Sequence, residues 1–160
     1  MAPGRHVSEL AGTRRILAAL FVLGSLGTAA ELVLMEHTED AWQNVPLVLI
    51  AAGCLGLAAL LVKPGTVQLR VFQVIVALFV AAGVVGSVLH YQSNAEFELE
   101  LNADAAGVQL FWESMRGAVP ALAPGTMILL GAIGFVCARL TSRESAELAR
   151  AGSPEVSAPE

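Results

Sequence analysis

The chain is predicted to be all-α, a bundle of four transmembrane helices with a short amphipathic helix on its outer side. Three observations carry that expectation. Composition comes first: 56% of the 160 residues are hydrophobic and only 14% are charged, against roughly 25% charged in an ordinary soluble domain. Second, four apolar stretches, about 16–35, 45–62, 71–91 and 118–140, are long enough to cross a bilayer, whose hydrocarbon core of about 30 Å needs around 20 helical residues. Third, of the 9 Lys and Arg residues all but Arg116 fall on one side of those spans.

Lipid offers backbone groups no hydrogen-bonding water, so each span has to be a helix that satisfies itself. None shows the alternation of a membrane β-strand. The first span follows Arg5, Arg14 and Arg15, the loop after the second carries Lys63 and Arg70, and the fourth ends at Arg139, Arg143 and Arg150. By the positive-inside rule both termini are cytoplasmic, in a cell membrane (the inner membrane if the source is bacterial). Trp42, Tyr91 and Trp112 fall near the opposite boundary, where amphipathic rings prefer to lie. One competing reading takes Thr13-Arg14-Arg15-Ile16-Leu17 as a twin-arginine-like signal cut near Thr28-Ala29-Ala30, removing residues 1–30. The apolar run continues to Met35, longer than a signal core, which favours a retained span.

Residues 1–141 then form one four-span domain with an outer insertion at 92–117, and 142–160 a tail that starts helical and ends disordered. Each span holds two glycines three residues apart: Gly24/Gly27, Gly53/Gly56, Gly83/Gly86 and Gly131/Gly134. Pro46 precedes Gly53 at the interval by which Pro124 precedes Gly131. The pattern suggests two parallel two-helix repeats, set against recurrence by composition alone. In the insertion, Glu96-Phe97-Glu98-Leu99-Glu100-Leu101 alternates polar and apolar, as an extended lid would. Val108, Phe111, Trp112 and Met115 then form a helical stripe, with Asp104 as the expected cap. Pro120 and Pro124 either kink the fourth span or delay its start to Pro124, leaving 118–123 as an irregular entry.

The candidate chemistry lies on the outer half. Glu31 stands inside the first span, where a carboxylate persists only if neutral, paired or wetted. Helical spacing puts it on the face of Gly24 and Gly27, and His90 on that of Gly83 and Gly86. If glycine marks helix contact, Glu31 and His90 meet inside the bundle. With His37, Asn94 and Glu96 nearby they form the expected metal set, and oxygen and imidazole ligands suit a divalent cation. Glu36, Glu39 and Asp40 add an acidic mouth that concentrates cations. The bland reading of each is interfacial hydrogen bonding or plain solvation. A haem between His37 and His90 is disfavoured because His37 lies at the helix end. Cys54 and Cys137 lack CxxC spacing and a neighbouring base, so neither a zinc site nor a nucleophile is expected.

The segments 31–40, Trp42-Gln43 to Pro46 and Ala121-Leu-Ala-Pro-Gly125 resemble those of small uncharacterised bacterial four-span integral membrane proteins. That resemblance covers the outer halves and loops and implies no activity. Function is therefore expected to rest on the outer-facing Glu/His cation site. One alternative is a small proton-coupled transporter or channel component. The other is a structural or accessory subunit whose glycine faces bind spans of a second copy or another membrane protein. Catalysis is not expected, and a net charge of −5 argues against a nucleic-acid partner.

Overall fold

The computed structural model describes the backbone of residues 3–36, 41–117 and 123–152. Its described residues form five helices: α1 (Pro3–Leu34), α2 (Val45–Val62), α3 (Thr66–Leu101), α4 (Gly107–Met115) and α5 (Gly125–Ala151). α1, α2, α3 and α5 are each long and apolar enough to span a membrane. The chain is thus a multi-span membrane bundle, as the apolar runs predict. His37, Glu39, Asp40, residues 118–122 with Pro120, and residues 153–160 lie outside the described residues.

The spans close into a ring in the order α1, α2, α3, α5, each contacting the next, and α3 with α5 makes the most extensive contact. That seam depends on glycine. A Cβ on Gly83 would stand 2.8 Å from the Pro124 carbonyl oxygen and 2.9 Å from the Ile128 nitrogen, and one on Gly131 2.8 Å from the Val76 carbonyl oxygen. Gly134 faces the Val76 side chain and Gly86 the Pro124 ring. Numbers rise along one helix as they fall along the other, so the pair is antiparallel with backbones in close approach. Phe21 of α1 fills the centre, its ring centroid 5.8 Å from Phe72 and 5.6 Å from Phe79. Gly53 of α2 makes room for both Phe21 and Phe79. The two halves do not use their glycines alike: Gly24 meets Leu130 of α5, not its own neighbour α2, and Gly27 meets nothing within 4 Å.

Several expectations are corrected. Residues 96–101 are not an extended lid but the last turns of α3. Glu and Leu are strong helix formers, and their propensity outweighs a short alternation that has no strand to pair with. α3 ends where Asn102 turns extended (φ −143°, ψ 93°) and its side-chain oxygen accepts the Asp104 N–H at 3.2 Å. Asp104 therefore belongs to that turn and does not cap α4, whose N-cap is Ala106 with no side-chain hydrogen bond. α1 and α5 also run past the predicted spans, beginning at Pro3 and ending at Ala151. α5 starts at Gly125 with Pro124 as its N-cap.

Candidate functional site at the acidic end of the bundle

The packing sets the depth of each outer residue. Gly24 is level with Leu130, which lies between the α5 residues that meet Gly83 and Val80. Glu31 therefore stands level with about residue 88 of α3, some 5 Å short of Tyr91 at 1.5 Å per residue. It is one turn inside the span, as its position in the sequence suggests. Its direction differs from expectation. Glu31 is exposed on the outside of the ring, and Gly27, one turn before it, faces open space. The glycine stripe was expected to carry Glu31 inward; only Gly24 of that stripe packs against a neighbouring helix. α1 stays packed beyond Gly24 through Ser25 and Ala29, whereas Gly27 and Glu31 lie to the side of that buried face.

His90 is half-buried on α3 and is not without a partner. Asn94, one turn on, is 2% exposed and its Nδ2 donates to the Ser114 carbonyl at 2.8 Å. A Cβ on Gly117 would run into the Asn94 amide, so glycine is what lets the chain after α4 close over that amide. Ser114 is itself fully buried, its hydroxyl donating to Leu110 O at 2.7 Å. Asn94 thus ties α3 to α4. Glu96 is exposed on the far part of α3, and His37 lies outside the described residues. Among the described residues, no three or more His, Cys, Asp and Glu side chains are grouped to hold a metal ion.

The bundle interior is not a polar path. Phe21, Phe72, Phe79, Leu57, Leu60 and Val76 are all at or below 1% exposure. The Ser25 hydroxyl is buried among the spans without a hydrogen-bond partner among the described residues. Thr28 donates to the Gly24 carbonyl of its own helix at 2.9 Å. At the opposite, basic end, Arg14 Nε of α1 lies 3.2 Å from Glu144 Oε2 of α5, an ionic contact with both side chains about 15% exposed. Sequence reading missed that pair, because nothing in the sequence says that α1 lies beside α5. The Cys137 thiol, also on α5, points at the Arg14 carbonyl oxygen 4.0 Å away.

No protein-family model, curated protein or solved structure matches the chain. The site must be read from its own geometry.

Proposed function

We propose that this protein is a structural subunit of a membrane assembly, and that the outer half of α1 is its contact face toward a second copy of the chain. One observation carries the reading: a carboxylate, Glu31, stands one turn inside a span on the outside of the bundle, beside a glycine that nothing covers. A lipid-facing carboxylate costs up to a few kcal/mol at mid-membrane and less toward the edge. Another protein removes that cost by supplying a hydrogen bond, and Gly27 gives its backbone room to approach. A second copy brings the same face, so a two-fold axis along the membrane normal sets Gly27 against Gly27 and lets each Glu31 carboxyl find a hydrogen-bond partner on the other copy. Leu23, Leu26 and Ala30 flank the pair and are exposed.

The glycines expected to bind other spans do a different job. Gly83, Gly86, Gly131 and Gly134 are used up within the bundle, on the seam between α3 and α5. The cation-site reading keeps one support, His90 and Asn94 one turn apart on α3, but the Asn94 amide is already committed to Ser114. Conduction through a single bundle has less, given the aromatic plug at its centre.

The mass of the assembly in lipid nanodiscs tests the proposal, for wild type beside Glu31→Leu and Gly27→Leu. A dimer that becomes monomeric in both variants is expected. A wild-type monomer overturns it. Elemental analysis of wild type beside Glu31→Gln and His90→Ala separates the cation reading: near-stoichiometric metal lost in both variants would favour a metal site in its place.

A further inference from the structure

α4 carries three different faces. At 100° per residue, Leu110 and Ser114 share one side, Phe111, Met115, Val108 and Trp112 a second, and Arg116, Gln109 and Glu113 a third, each about 120° from the next. The first is the protein side: Ser114 is fully buried and Leu110 half-buried. The third is polar, with Gln109 Nε2 donating to Glu113 Oε1 at 3.0 Å. The second is the apolar stripe, and the bundle covers it only in part, at Met115. Val108 is 74%, Phe111 45% and Trp112 54% exposed.

The level of that stripe identifies what covers it. From Val71, where α3 enters the apolar run, about 30 Å of helix reaches Tyr91. The Tyr91 and Phe111 ring centroids are 5.9 Å apart, and Phe111 is followed 5.6 Å away by Trp112. The stripe therefore sits at the membrane boundary, with protein on one side of the helix and charged groups on another. Arg116, the one basic residue among the outer loops, holds its guanidinium carbon 5.9 Å from the Trp112 ring centroid. That places a cation at the end of the stripe, where an interfacial arginine meets phosphate.

We infer that α4 is an interfacial anchor. Val108, Phe111 and Trp112 insert between headgroups and acyl chains of the outer leaflet, while Gln109 and Glu113 face water. The bilayer is the occupant of this face, independently of whether α1 meets a second copy.

The chain has 2 tryptophans, and Trp42 is 76% exposed, so Trp42→Phe leaves Trp112 as the only reporter. Full-length protein carrying that change is placed in phosphatidylcholine vesicles brominated either near the headgroup or near the acyl-chain end. Trp112 emission is expected to be quenched most by the shallow bromines, less by the deep ones and weakly by aqueous acrylamide. Strong acrylamide quenching with no effect of bromine overturns the anchor and puts α4 in water. Protection from all three also overturns it, and assigns the stripe to a protein contact. A Trp112→Phe protein that retains Trp42 controls for fold, its emission reporting whether the outer loops stay intact.

Discussion

At the scale of single residues, two backbone positions show how the helix ends are set. Glu36 closes α1 with a left-handed backbone (φ 54°), its N–H donating to the Val33 carbonyl. A glycine adopts that conformation without the crowding a Cβ suffers, so Glu36→Gly should stabilise the protein by roughly 0.5–1 kcal/mol in a reversible unfolding titration. Gly107 opens α4 at φ +60° with nothing within 4 Å of its missing side chain. Gly107→Ala meets no clash there and should still destabilise by about 1 kcal/mol, because the strain lies in the backbone. Opposite signs in one titration separate backbone strain from packing. Asn94 is the polar counterpart. Asn94→Leu leaves the Ser114 carbonyl buried without its donor and should cost about 1–3 kcal/mol, with proteolysis between α3 and α5 rising in parallel. The sequence marks Asn94 only as a neighbour of His90; its real partner is 20 residues on and no local pattern points there.

Among the elements, the spans were legible because length and apolarity are local properties with one solution in lipid. The ends were less so. Alternation in residues 96–101 reads as extended structure, whereas α3 simply continues, since a helix already running costs little to prolong. Which faces meet was the least legible, because it depends on neighbours. The glycine pairs look alike along the chain, yet Gly83 and Gly131 touch backbone across the seam while Gly27 touches nothing. Gly131→Leu should therefore disrupt the bundle by at least the 1–3 kcal/mol typical of overpacking. Gly27→Leu should leave monomer stability nearly unchanged and act only on association. At the basic end, Arg14→Leu strands Glu144 half-buried beside α1. The double change Arg14→Leu with Glu144→Leu should recover part of that loss, since removing one partner of a shielded ion pair costs more than removing both. Thermal unfolding in detergent, run as a double-mutant cycle, reads the difference.

For the whole molecule, the ring α1–α2–α3–α5 has a closed interior of phenylalanine and leucine and an outer end where acidic groups gather. The chemistry expected inside the bundle depended on Glu31 facing inward, and that step rested on the assumption that a glycine stripe always marks an internal contact. Here α1 buries Ser25 and Ala29 instead, and beyond Gly24 the stripe with its carboxylate becomes an outward face. The central question for the molecule is whether a second copy covers that face. Single cysteines placed at Leu23, Gly27 and Ala30 of α1 and at Val84 and Val85 of α3, in a chain with Cys54 and Cys137 replaced by alanine, test it by oxidative cross-linking in native membranes. The account predicts disulfide-linked dimers strongest at Gly27 and Ala30, absent at Val84 and Val85, and weakened by Glu31→Leu. No cross-link along α1, or equal cross-linking on α1 and α3, would contradict it.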